Sequence, residues 1–92
     1  MDMMIETREL VITNRLGLHA RAAAKLVQAA QAYQADISLV KDGEKADARS
    51  LLSLISLGCA EGSRVTVEAA GADALKAVLA VKTLFEERFG EE

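Results

Sequence analysis

His19 is the only histidine in the chain, and Arg21 follows it two positions later. A neutral imidazole can act as a nucleophile or carry a proton. A guanidinium two residues away suits the planar oxygens of a phosphate. No Asp or Glu occurs from Leu10 to Ala35, where Arg15, Arg21 and Lys25 supply +3. That leaves −6 for the remainder of a chain whose net charge is −3. The pattern is that of a local anion site on an acidic protein. Metal ligation finds little support, with no second histidine and one lone cysteine, Cys59. No acid–base pair or nucleophile–base set can be placed together to make a hydrolase.

These residues need a frame that points them outward. Thr7–Thr13 alternates, with Leu10 and Ile12 on one face and Glu9 and Thr13 on the other, and reads as a half-buried strand. Asn14-Arg15-Leu16-Gly17-Leu18 then reads as a loop. From Ala20 to about Tyr33 the period becomes helical: Ala22, Ala23, Leu26, Val27, Ala29, Ala30 and Tyr33 share an apolar face, and Arg21, Lys25 and Gln28 face solvent. His19 therefore falls where loop becomes helix. The first amide groups of a helix lack partners within it and carry the positive end of its dipole, which makes an anion seat. A helix terminus contributes about 0.3–1 kcal/mol, up to roughly 2 in good geometry. A charged hydrogen bond contributes about 1.5–3 kcal/mol. Such values hold a phosphoryl group without making it inert. Taken alone, a single histidine at a helix start is still more often a cap or surface residue than a nucleophile.

Further along, Ile37 and Leu39 mark a second strand, Asp42-Gly43 a hairpin turn, and Glu44–Ala48 a short third strand. Ser50–Leu57 reads as a short helix with Ser50 as a simple N-cap, stopped by Gly58. Val65, Val67 and Ala69 alternate with Thr66 and Glu68 as a fourth strand. Asp73 is the expected cap of a long helix over Ala74–Phe89, and Gly90-Glu91-Glu92 is expected to be a frayed acidic end. Strands with one apolar face each, in the order βαββαβα, predict an α+β open-faced sandwich with helices on one side only. Ninety-two residues, 51% of them hydrophobic, allow one domain over residues 1–92. With no Trp and only 3% aromatics, its core must be aliphatic, and Cys59 is expected to be buried packing. Met1-Asp2-Met3-Met4 lacks the basic start of a signal peptide, and no apolar run approaches about 20 residues. A cytoplasmic protein without a membrane span is expected. Acidity and the lack of stacking aromatics count against nucleic acid as a partner.

Thr13-Asn14-Arg15-Leu16-Gly17-Leu18-His19-Ala20-Arg21 resembles the active-site segment of the HPr-like histidine phosphocarriers of the phosphoenolpyruvate-dependent phosphotransferase system. The likeness continues through Arg49-Ser50-Leu51-Leu52, Leu57-Gly58 and Glu61-Gly62 and spans nearly the whole chain. It implies a four-stranded antiparallel sheet with three helices on one face. It implies that enzyme I phosphorylates His19 on Nδ1, that His19 passes the group to an enzyme IIA, and that Arg21 with the backbone amides of Ala20 and Arg21 holds the phosphate. No cofactor and no metal are implied, and the protein is a carrier, not an enzyme in the turnover sense. Thr13–Gly17 and the acidic end look more like the nitrogen-related NPr branch, with the sugar-uptake branch a close alternative. One departure is Ala22, where the family usually has proline. The helix start is expected to survive it, with a less rigid loop.

Two further features invite a partner. Leu51, Leu52, Leu54, Ile55 and Leu57 exceed what one contact can bury. Leu54 and Leu57 are expected to pack on the sheet, leaving Leu51, Leu52 and Ile55 as a docking patch that the family uses for enzyme I, with Ala20, Arg21 and Lys25 at its rim. The resemblance also makes Ser50 a regulatory phosphorylation site in some members, modified by an HPr kinase/phosphorylase. The rival reading is a regulatory protein-binding module that works through the second helix and Ser50 without phosphoryl transfer. A monomer is expected.

Overall fold

The computed structural model describes residues 4–91. Four strands, β1 (Ile5–Val11), β2 (Asp36–Lys41), β3 (Glu44–Asp47) and β4 (Arg64–Ala70), form one antiparallel sheet in the order β1-β4-β2-β3. Three helices, α1 (Ala20–Gln31), α2 (Leu51–Ser56) and α3 (Ala74–Glu86), cover one face. The core is aliphatic: Leu10, Ile37, Leu39, Ala46, Val65, Val67 and Ala69 of the sheet meet Ala22, Ala23, Leu26, Ala30, Leu54, Ala77, Val78 and Val81 of the helices. The alternate strand residues, among them Thr7, Glu9, Asp36, Lys45 and Arg64, lie on the open face. The expected sandwich is the one observed.

The sheet order puts β4 between β1 and β2, so two strand–helix–strand units interleave. Val11 at the end of β1 pairs with Arg64 at the start of β4. Beyond the ladder, Ile12 donates to Ser63 O, Gly62 to Ile12 O and Leu18 to Cys59 O. The loop before α1 and the loop before β4 are thus stitched together at one end of the sheet. α3 then runs back along β1 and β4 to that same end.

Boundaries differ from the sequence reading where charge or turn chemistry intervenes. β1 starts at Ile5, two residues earlier than expected. Its register places Glu6 and Arg8 on the core side opposite Ala69 and Val67, where they pair with each other at the sheet edge and break the apolar alternation. Inward charges on an edge strand are a recognised guard against pairing with another chain. Asp42 (φ 51°) and Gly43 (φ 82°) make the hairpin turn with both central residues left-handed, as its tight form requires. Ser50 caps α2 by accepting from Ser53 N at 3.3 Å, and its hydroxyl donates to Ser53 Oγ at 3.0 Å. Arg49 donates to Tyr33 O and Ala35 O and pairs with Asp36, tying the entry of α2 to the start of β2.

Asp73 does not cap α3. It stands at the N-cap position, but its carboxylate accepts from Gln34 N at 2.9 Å and Ala35 N at 2.8 Å instead. A Cβ at the neighbouring Gly71 would meet Ala35 Cα at 2.8 Å, so the two segments touch backbone to backbone. The Asp73 bonds therefore clamp the entry of β2 to the start of α3. The Gln34 amide leads, with the Ala35 amide and Lys76 assisting against some desolvation, and the Asp73 carboxyl is held below its ordinary value. Because the folded value is depressed, the clamp stabilises fully above the ordinary aspartate value of 3.8 and fades as pH falls through the folded value. Asp73→Ala should lower the thermal midpoint at neutral pH, and wild type and variant should converge in acid; melting curves across pH 2–7 check this.

Candidate functional site

The loop Thr13–His19 is held from inside. Asn14 is fully buried, the one buried polar residue among those described. Its Nδ2 donates to Gly17 O at 2.7 Å, and Gly17 N donates back to Asn14 O at 3.1 Å. Gly17 is left-handed (φ 67°) and lies so close to Cys59 O that no Cβ would fit. Cys59 is buried, as expected, and burial pushes its thiol up despite the opposing charge of Lys41. The chain therefore leaves the loop at Leu18 in one direction only, and His19 follows in extended conformation as the N-cap of α1.

His19 is thus the cap of α1. Its Nδ1 accepts from Arg21 N at 3.3 Å, while its carbonyl accepts from Ala23 N at 2.8 Å. With Nδ1 accepting, the hydrogen-bond pattern assigns the ring proton to Nε2. Nε2 lies 2.6 Å from Glu91 Oε2 and donates to it. The other Glu91 oxygen accepts from Asn14 Nδ2 at 3.0 Å, and Arg21 Nε stands 3.6 Å from Oε2. Burial pushes the Glu91 carboxyl up, but the bonds from Asn14 and His19 and the charge of Arg21 outweigh it and hold the group below the usual carboxylate range. Arg15, Leu16, Arg21 and Glu91 line an open cleft of about 270 Å³ beside the ring.

Glu91 corrects the expectation of a frayed end; Glu92 lies outside the described residues. α3 stops at Glu86, three residues short of the expected Phe89, and a single 3₁₀ turn spans Arg88–Gly90. Arg88 (φ 56°) and Phe89 (φ 55°) are both left-handed. For non-glycine residues that costs about 1–2 kcal/mol each. Phe89 repays it by full burial against Phe85, with ring centroids 5.0 Å apart. Burying such a ring contributes roughly 1.5–3 kcal/mol, and an aromatic pair adds about 0.5–1.5 kcal/mol. Lys25 Nζ donates to Phe89 O, so this lysine braces the tail from α1.

The remaining candidates are placed as follows. Arg21 and Ala20 are exposed in the first turn of α1, beside His19. Leu54 and Leu57 are buried, while Leu51, Leu52 (77% exposed) and Ile55 face solvent on α2, which packs against α1. Ser50 is half-buried in its cap. Sequence reasoning missed Glu91 and the inward role of Asn14. A signal existed in Phe89-Gly90-Glu91: a large apolar ring gains by packing, and glycine after it permits the turn. Among the described residues, no three His, Cys, Asp or Glu side chains group as metal ligands, and no helix is long and apolar enough to cross a membrane.

Comparison with known proteins covers most of the chain. The family model for the HPr component phosphorylation site of the phosphotransferase system matches residues 6–87. The phosphocarrier protein HPr of Xylella fastidiosa (strain 9a5c) is 40% identical over 84 residues, covering 91% of this chain and 94% of its own. The phosphocarrier protein NPr of Escherichia coli (strain K12) is 42% identical over 82 residues, covering 88% and 91%. Among solved structures, HPr-C-His from Thermoanaerobacter tengcongensis superposes with a TM-score of 0.91 at 39% identity, covering 95% of this chain and 98% of that one. An HPr dimer from the same organism gives a TM-score of 0.76 at 41% identity, over 87% and 92%.

The tail is tied to the core through Phe89. Phe89→Ala should destabilise the fold by about 3–5 kcal/mol in urea unfolding, the range for emptying a buried aromatic site. It should also free Glu91 from His19, seen as loss of the His19 Nε2–H signal by faster exchange with water.

Proposed function

The chain belongs to the HPr family of phosphocarriers of the phosphotransferase system, and we propose that His19 is its phosphoryl-carrying residue, charged by enzyme I and discharged to an enzyme IIA. The observation that supports this most directly is His19 Nδ1 at the first turn of α1, held only by the Arg21 amide. In the transfer, the Nδ1 lone pair forms the N–P bond, and the bond to the donor breaks with its electrons staying on the donor. The Arg21 N–H, no longer bonded to Nδ1, turns to a phosphoryl oxygen together with the Ala20 amide. The Arg21 guanidinium swings from Glu91 to the phosphate, for which its fork geometry is better suited. The dipole of α1 adds the modest field expected at a helix start. None of these forces is large, which leaves the group able to move on to the acceptor.

Docking follows the same arrangement. Leu51, Leu52 and Ile55, exposed on α2, form the apolar contact for enzyme I and enzyme IIA, with Ala20 and Arg21 at the rim. The two relatives above, one named HPr and one NPr, match at nearly equal identity, so sugar-uptake and nitrogen-related enzymes are to be compared directly for transfer rate. The protein works as a cytoplasmic monomer. The inward charges Glu6 and Arg8 on β1 support the monomer, although an HPr from Thermoanaerobacter tengcongensis forms a dimer. Ser50 is a regulatory site for an HPr kinase/phosphorylase. A phosphate there adds negative charge on the docking helix and impairs docking without unfolding the domain.

Incubation with enzyme I and labelled phosphoenolpyruvate should give an acid-labile, alkali-stable phosphate that is absent in His19→Ala. No labelling with a competent enzyme I would overturn the carrier reading and leave the regulatory module. Ser50→Asp should accept the group more slowly while keeping its melting temperature; an unchanged rate would remove Ser50 from regulation.

A further inference from the structure

The two ring nitrogens of His19 are not equivalent. Nε2 carries the proton and donates it across 2.6 Å to a carboxylate, so it presents no in-plane lone pair and no free approach. Nδ1 has its lone pair exposed to nothing stronger than one amide at 3.3 Å. The carboxylate is itself fixed from three sides: Asn14 holds Glu91 Oε1, Arg21 stands by Oε2, and Lys25 with buried Phe89 anchors the segment that delivers it. Residues 88–91 lie beyond the stretch that the family model matches.

We propose that Glu91 is a positioning residue that directs phosphorylation to Nδ1, by binding Nε2–H and fixing the ring's tautomer and orientation. While Glu91 is in place, attack through Nε2 would require both a change of tautomer and displacement of the carboxylate. Attack through Nδ1 requires only the weak amide bond to open. As Nδ1 bonds to phosphorus, the ring becomes an imidazolium whose Nε2 proton stays shared with Glu91. The carboxylate thus faces the charge that develops, as the buried acid of a catalytic triad does for its histidine. The role deepens the carrier reading and rests on it for its biological purpose. The choice of nitrogen can nevertheless be measured without enzyme I.

Phosphoramidate, a small donor that reaches either nitrogen of an open imidazole, provides the test. Its P–N bond breaks, ammonia leaves with the electron pair, and a ring nitrogen takes the phosphoryl group. Wild type, Glu91→Gln and Glu91→Ala are treated alike, and the Nδ1 and Nε2 phosphohistidine isomers are counted by phosphorus and nitrogen NMR. Wild type should give almost only the Nδ1 isomer. In Glu91→Ala the share of the Nε2 isomer relative to Nδ1 should rise at least about tenfold, the scale of losing one charge-assisted hydrogen bond. Glu91→Gln, which keeps the size and a carbonyl acceptor, should restore most of the selectivity. An isomer ratio unchanged in Glu91→Ala overturns the proposal. So does loss of all labelling in that variant, because removing the carboxylate should open the ring. Failure of enzyme I to label wild type would instead strike the carrier reading, with the isomer ratio still measurable.

Discussion

The insertion of β4 between β1 and β2 governs the rest of this molecule. A parallel pair joined by α1 could have closed directly; here the pair is held apart, and the last strand fills the gap by pairing antiparallel to both. Every segment that matters to the site is then forced to one end of the sheet. β1 ends there and α1 begins there. The Cys59–Ser63 loop arrives there to bond Ile12 and Leu18. Since β4 runs away from that end, α3 must run back to it. The tail's meeting with His19 is therefore a consequence of strand order before it is a matter of side-chain attraction.

What stands at that meeting is a balance between capping and chemistry. A helix start needs an acceptor for its orphan amides, and His19 Nδ1 serves as one. A 3.3 Å bond to one amide is worth little, so the lone pair is available to an electrophile at small cost, and the amide it releases is already aimed at the newcomer. The reading of a lone histidine as a cap and the proposed reading of it as a nucleophile are therefore compatible with one geometry. The buried Asn14 stands behind it, its amide shared between Gly17 O and Glu91. Unpaired Nδ2 donors in that place would carry a desolvation penalty, so the loop and the tail stabilise each other through them, while Asn14 Oδ1 stays buried without a partner among the described residues.

Legibility followed the physics of each segment. The core strands and α1 were readable because burial imposes a period: Val65, Val67 and Ala69, or Ala22, Leu26 and Ala30, leave no other face to bury. The start of β1 was not, since Glu6 and Arg8 occupy core-side positions at an edge where water still reaches them. Asp73 looked like a cap because aspartate before a helical run usually is one, yet a local pattern cannot register two amides 38 and 39 residues away. Glu91 escaped for the same reason. Neighbouring charge singled out His19 and Arg21, whereas the carboxylate that meets the His19 ring comes from 72 residues downstream. Nonlocal partners are set by topology, and strand order leaves no trace in periodicity.

Ala22 shows how the same site can be stiffened by different means. Proline in a first helical turn fixes φ and limits the ways the loop can enter the helix. With alanine there, α1 still begins at Ala20, and Ala22 is fully buried against the core. The start is secured by what surrounds it: Gly17 packed on Cys59, Leu18 bonded to it, and His19 gripped at both nitrogens. The constraint that a pyrrolidine ring would impose through one torsion is supplied here by hydrogen bonds to two separated parts of the chain, Cys59 and Glu91. Such bonds can open and reform as charge on the ring changes, which a covalent ring cannot do.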